Sequence, residues 1–306
     1  AFLVLVPLMS AFLSTAFVNL NNLTQMVDVQ RQGMANTLYR ATGSVAGILS
    51  PLIMTRLLDH IGIVLAVAGA GMVASAAHMR SYPLDETHEP FQGWLTEFRT
   101  MGEMYRKALA QRRLMGFIHL SLLWGALTTV VGTFAAIRLT NELGASASYY
   151  GNACAVGSAL TLAGILALGA ALDRMSIKRC TIALFLAASL CTVVLGLLGS
   201  VRGTAVAFVV FTVATGASLG PLSIWISRES GDIGLSLAFS VHKVLTAAYL
   251  AIATLLLGFL EPILGIRNLF LCCGVASLAA LAALLCLRTP PAMMAGKAPS
   301  VGAVVE

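Results

Sequence analysis

The sequence predicts an all-α, polytopic membrane bundle of about nine transmembrane helices, and three observations carry that prediction. The chain is 58% hydrophobic and 10% charged, with a mean hydropathy of +0.89. Soluble domains carry about 25% charged residues, so this chain lacks the polar side chains to cover itself in water. Apolar runs of roughly 18–25 residues recur from end to end, the length that crosses about 30 Å of hydrocarbon. Most of the charges fall between those runs. A membrane β-barrel would instead show short segments of alternating hydrophobicity.

The same composition excludes several function classes. The six cysteines, Cys154, Cys180, Cys191, Cys272, Cys273 and Cys286, lie in or beside apolar runs. None has CxxC spacing or a nearby histidine, so the pattern suggests neither a metal site nor a disulfide framework, and no cofactor is expected. The net charge of +6 follows from lysines and arginines placed in loops, so no nucleic-acid partner is expected. The chain opens with Ala1 inside an apolar run, with no charged region before it. The expectation is a fragment that starts within a membrane segment.

In chain order, spans are expected near 1–20, 34–56, 61–79, 114–137, 147–172, 180–199, 204–226, 234–260 and 268–287. The positive-inside rule orients them. Arg31, Arg80, Arg99, Arg106, Lys107, Arg112, Arg113, Arg174, Lys178, Arg179, Arg228, Arg288 and Lys297 fall on one side, and Arg56, Arg138, Arg202 and Arg267 on the other. The richer side is read as cytoplasmic, which puts the C-terminus inside. An odd number of spans with an outside start implies three further helices upstream. Residues 1–79 form one group of helices, 114–288 a second, and 289–306 a Pro-, Ala- and Gly-rich tail expected to be disordered.

Residues 80–113 are the only long polar connection. Phe91, Trp94, Leu95, Phe98, Met101, Met104, Tyr105 and Leu109 step by three or four, which makes one face of an amphipathic helix. Such a helix rests at the cytoplasmic membrane interface. Sliding residues 1–79 forward by 203 lays the first three spans on the last three and sets Arg40 opposite Lys243. That register fits a chain built from two related halves.

The chain is organised around Gly169-Ala-Ala-Leu-Asp-Arg-Met-Ser-Ile-Lys-Arg179, a short charged hinge between two apolar segments. Gly169, Asp173, Arg174, Lys178 and Arg179 resemble the signature loop of the major facilitator superfamily, approximately G-x-x-x-D-R-x-G-R-[KR]-[KR]. Ser176 stands where that signature has glycine, and Ile177 where it has arginine. Ala46-x-x-x-Ser50-Pro51 resembles the family's G-x-x-x-G-P element of helix five, with Pro51 at the matching position. The resemblance implies a twelve-helix, two-half fold of which this chain spans helices four to twelve. It also implies a secondary transporter of a small solute that works by alternating access, with a gating role for the signature loop and Pro51. Physically, Gly169 lets helices approach closely, Asp173 suits the dipole at a neighbouring helix start, and Arg174, Lys178 and Arg179 suit an anionic leaflet. The bland alternative is a topology signal with no part in gating.

Polar groups inside the spans are few, which makes them candidates for a solute cavity. A cation at mid-membrane costs roughly 2.5–3.5 kcal/mol and should face a cavity or a partner. Lys243 lies about nine residues into its span, and Ser236, Ser240, Lys243 and Ala247 share its face, with Thr246 adjoining. Arg40 follows the same pattern with Ser44, Gly47 and Pro51; its alternative is snorkelling to the interface. The pair implies a weak lean to an anionic or polar organic solute. His242, about 100° round the helix from Lys243, His119 and Trp124 complete the set, although packing explains each of them too. No carboxylate is expected at membrane depth, so a coupling ion such as H⁺ would need another carrier.

Two rival readings stand beside transport. One is a truncated, non-transporting protein with a binding or regulatory role. The other is an intramembrane transferase, which needs convergent His, Asp, Glu or Cys at membrane depth; only His119, His242 and Lys243 approach that. The remaining expectations are a non-enzymatic monomer in the plasma membrane (the inner membrane of a bacterium), in contact with bilayer lipid.

Overall fold

The computed structural model describes residues 94–172, 175–230 and 235–286, with eight isolated positions between Ser44 and Val73. Among the described residues every regular element is a helix. The helices are α1 (Trp94–Ala110), α2 (Arg112–Ile137), α3 (Ala147–Leu172), α4 (Ile177–Leu197) and α5 (Val201–Glu229), followed by a continuous element, Leu235–Cys286. That last element holds 52 residues, about 78 Å if straight, more than twice the hydrocarbon thickness. It is divided at Gly265, whose φ of 72° and ψ of 155° leave the helix. That backbone region is open essentially to glycine alone. Pro262, three residues earlier, already lacks a helical N–H donor. The arms are α6 (235–264) and α7 (266–286).

Five helices are long and apolar enough to cross a membrane, and the fifth contains this break. Six crossing segments therefore run between 112 and 286, where the sequence predicts six. α2 to α5 begin and end within three residues of the predicted bounds, because the charges that end an apolar run also end its membrane segment. α1 forms inside the long connection, with Tyr105 and Ala108 against the bundle and Arg106 and Lys107 exposed. The predicted spans over residues 1–79, together with Arg40 and Pro51, lie outside the described residues.

Two packing modes build the bundle. Small residues let α3 approach α5: a Cβ on Gly216 would stand 2.5 Å from Thr161 Cγ2, and one on Gly157 3.1 Å from Thr212 Cβ. The hydroxyl of Thr161 donates to Gly157 O at 2.8 Å within α3 and also reaches Thr212 O of α5 at 3.3 Å. α4 and α7 cross in the same way, since a Cβ on Gly274 would meet Val193 Cγ2 at 2.5 Å. Hydrocarbon tails give no hydrophobic drive for helix association, so close van der Waals contact at small residues supplies it. α2 instead packs with aromatics. Trp124 stacks on Phe185 of α4 with centroids 3.6 Å apart, and Phe117 meets Trp225 of α5 at 4.5 Å.

Both ends of the bundle are tied by charge. α2 ends in a π turn, Arg138–Glu142, the irregularity that often marks a local demand on a helix. Arg138, 5% exposed, pairs with Glu142 at 2.5 Å and donates to Leu198 O at 2.7 Å. Arg267 donates to Gly196 O at 3.2 Å, so two guanidinium groups serve the carbonyl end of α4, where the helix dipole favours cations. At the opposite end, Arg113 Nε lies 3.2 Å from Glu229 Oε2. Arg113 thus falls at the end of the described bundle opposite Arg138 and Arg267, as the two sets separate them.

Candidate functional site

The signature stretch joins two long apolar helices. Gly169 sits in the last turn of α3, and α4 starts at Ile177. Ser176 is the N-cap, in extended backbone and without a side-chain cap bond. Lys178 is half-exposed and Arg179 exposed in the first turn of α4. Ile177, standing where the signature carries a charge, is 6% exposed and joins Cys180 in the core. A guanidinium there would have to be buried, so the apolar residue suits the local packing. Asp173 and Arg174 lie outside the described residues.

Part of the candidate set of α6 shares the face that meets α2. His242, Thr246 and Tyr249 follow i, i+4 and i+7 and share one helix face, whereas Lys243 lies about 100° round from His242 and Ser240 on the side opposite Tyr249. Lys243 stands eight residues after Leu235, about 12 Å along the helix. The Thr246 hydroxyl donates to His242 O at 2.7 Å, satisfying itself within the helix. Across the seam, His119 Nδ1 lies 2.6 Å from Tyr249 Oη, with ring centroids 5.7 Å apart. His119 is exposed, and Ser240, His242, Lys243, Thr246 and Tyr249 are half-exposed. Thr129 and Thr133 are also exposed on α2, with Leu123 and Ile137 exposed among them.

Trp124 occupies a different place. It is 3% exposed, stacked on Phe185, with Nε1 donating to Ser189 Oγ at 3.2 Å. Its ring and its N–H are both engaged inside the described bundle.

Two groups were not singled out by sequence reasoning. Tyr249 follows Thr246 by three residues, but a face drawn outward from Lys243 toward Ser236 and Ala247 leads away from it. A search for aromatic hydroxyls on the His242 side would have found it. Glu229, the last residue of α5, has a side chain only 9% exposed. Its carboxylate bonds Arg113 and also accepts from Trp225 Nε1 at 3.3 Å. The signal was opposite charge at the ends of two apolar runs, at positions that only the fold brings together.

Among the described residues, no group of three or more His, Cys, Asp or Glu is placed to hold a metal ion. The seam sets imidazole and hydroxyl groups of α2 and α6 against an apolar background. Comparison with curated proteins returns no match. The family model described as Major Facilitator Superfamily matches residues 1–244, a stretch that contains α2, the signature loop and Lys243. The chain belongs to the major facilitator superfamily, and it is an integral membrane protein and a membrane transporter of that type.

Proposed function

We propose that the protein is a secondary active transporter that moves a small anionic or polar organic solute by alternating access, along a central passage walled on one side by the α2–α6 seam. The observation that carries this reading is the seam itself. His119 meets Tyr249 across it, His242 and Thr246 share the Tyr249 face of α6, and Lys243 lies about 100° round the helix from His242, in helices whose other exposed residues are mostly apolar. In hydrocarbon such groups are costly unless they face protein or water, so they mark the solute side of the bundle. Lys243, with Arg40 as its counterpart in the other half, supplies charge complementary to an anion, while Ser240, Thr246 and the two histidines supply hydrogen bonds. Trp124 we assign to packing that holds α2 against α4.

Gly169, Asp173, Arg174, Lys178, Arg179 and Pro51 form the gating set in this reading. The rich basic end faces the cytoplasm of a plasma membrane, the C-terminus lies on that side, and the protein works as a monomer. Coupling to an ion such as H⁺ belongs to the same proposal.

The test is transport in cells or proteoliposomes against a panel of anionic, neutral and cationic solutes. Lys243→Ala should cut transport of the accepted anion by at least about tenfold, because removing a charge partner inside a low-dielectric site costs 2 kcal/mol or more. Asp173→Asn should slow turnover without changing which solutes are accepted. Both variants should reach the membrane at the parent level. Full transport by both would remove the assigned roles, and transport of cations only would remove the anionic lean.

A further inference from the structure

We infer that the basic elbow where α1 meets α2 is a binding site for the headgroups of anionic phospholipids. Residues 94–113 hold five basic residues (Arg99, Arg106, Lys107, Arg112 and Arg113) against two acidic ones (Glu97 and Glu103). Arg99 is spent locally on Glu103, 3.5 Å away. Arg113 shares its charge with Glu229. Arg106, Lys107 and Arg112 remain exposed within seven residues of chain.

The geometry suits a bilayer surface rather than open water. The two helices are separated only by Gln111, whose φ of −76° and ψ of 83° turn the chain. Hydrogen bonds from Gln111 N to Ala108 O at 3.1 Å and from Met115 N to Gln111 O at 3.0 Å hold that turn. Ala108 is fully buried and Tyr105 packs on the core, so the basic side of α1 is fixed outward. Leu109, 52% exposed, stands among these cations and offers an apolar contact beside them. α2 starts at Arg112 and turns apolar from Leu114, and charges at the start of an apolar helix belong at the edge of the hydrocarbon, the level of lipid phosphates. Cations flanked by an exposed apolar residue at that depth fit a phosphate above and an acyl chain below.

The other end of the bundle lacks this arrangement. There Arg138 is buried on Glu142 and Leu198 O, and Arg267 donates to Gly196 O. Those two side chains serve the protein's own acceptors, and Arg202, exposed, is the single further cation there among the described residues.

The experiment is native mass spectrometry of the purified full-length protein in neutral detergent, with phosphatidylglycerol or phosphatidylcholine added in equal amount. We expect phosphatidylglycerol to be retained at least about tenfold more, and Arg106→Gln/Lys107→Gln/Arg112→Gln to bring it down to the phosphatidylcholine level. Raising salt from about 0.05 M to about 0.5 M should weaken retention of the acidic lipid only. Arg202→Gln, at the opposite end, should bind as the parent does. Equal retention of the two lipids by the parent, or undiminished retention by a triple variant that keeps its helical circular dichroism, overturns the inference. So does displacement of the lipid by millimolar inorganic phosphate, which would make this a site for soluble anions. A triple variant that loses its helical signal leaves the parent's lipid preference and its salt dependence as the deciding readouts.

Discussion

The outer face of α4 and the α2–α6 seam are both open to the surroundings, yet they are made of different chemistry. Along α4, Leu186, Leu190, Val194 and Leu197 stand 39–57% exposed, and Val206 and Val210 of α5 and Val275 of α7 extend the apolar surface. The seam exposes His119, Thr129 and Thr133, with Lys243, Thr246 and Tyr249 half-exposed beside them. In water the first face would be the liability. In hydrocarbon the order reverses, because exposed Leu and Val lose nothing against lipid tails while exposed imidazole and ammonium groups need polar company. Exposure therefore says where a neighbour must be, and side-chain type says whether that neighbour is lipid or a polar passage.

The comparison breaks first at the crossing that holds the lipid-facing helices together. Gly274 has no room for a side chain, since its Cβ would stand 2.5 Å from Val193 Cγ2 and 3.0 Å from Val193 N. Gly196, the other close approach of these two helices, would put a Cβ 2.9 Å from Arg267 O. Gly274→Leu should separate α4 from α7 and remove the Arg267 bond to Gly196 O with it. The expected outcome is loss of most membrane-inserted protein, read by fluorescence size-exclusion of a tagged chain. A normal, monodisperse peak would show that this crossing is not a packing requirement.

How much of this could be read from residues alone depended on whether the physics was local. The ends of α2 to α5 were legible because a charge or a loop residue stops an apolar run at the same place it stops a membrane segment. The turn at Gly265 was legible as the short gap between the spans 234–260 and 268–287, though not as a single glycine in an otherwise continuous helix. The π turn at Arg138–Glu142 was not legible, because it follows from Arg138 reaching Leu198 O, 60 residues away. The site divided in the same way. Lys243, Ser240, Thr246 and His242 share one stretch of helix and could be placed by angle. The His119–Tyr249 contact joins residues 130 apart, and Glu229 is a buried partner of Arg113 only because α5 returns to the start of α2.

The seam comes next in size, and its disruption should spare the fold. Tyr249→Phe keeps the ring and removes only the hydroxyl that meets His119 Nδ1 at 2.6 Å. A single side-chain hydrogen bond is worth about 1 kcal/mol net, so stability should fall by no more than that. Transport should drop by about fivefold, the same energy expressed as a rate. A lower Tm with transport unchanged would place the pair in the packing, and would move the polar passage away from this seam.

The smallest effect tests the lipid-facing side directly. Leu190 is 48% exposed, while Leu195 on the same helix is fully buried. Leu195→Ala removes core contacts and should cost about 2–5 kcal/mol, with the usual cavity contribution. Leu190→Ala exchanges contact with lipid or detergent tails for slightly less of the same contact. Its effect should stay within about 0.5 kcal/mol, or a Tm change near the error of measurement in detergent. The ratio of the two is the informative quantity, since chemistry and helix are held constant and only the surroundings differ. Comparable costs would mean that Leu190 is covered by protein. With α4 presenting four large apolar residues on that side, the cover would then be another part of the chain or a second copy; either removes the lipid assignment, and a second copy, seen as a dimer in solution, removes the proposed monomer as well.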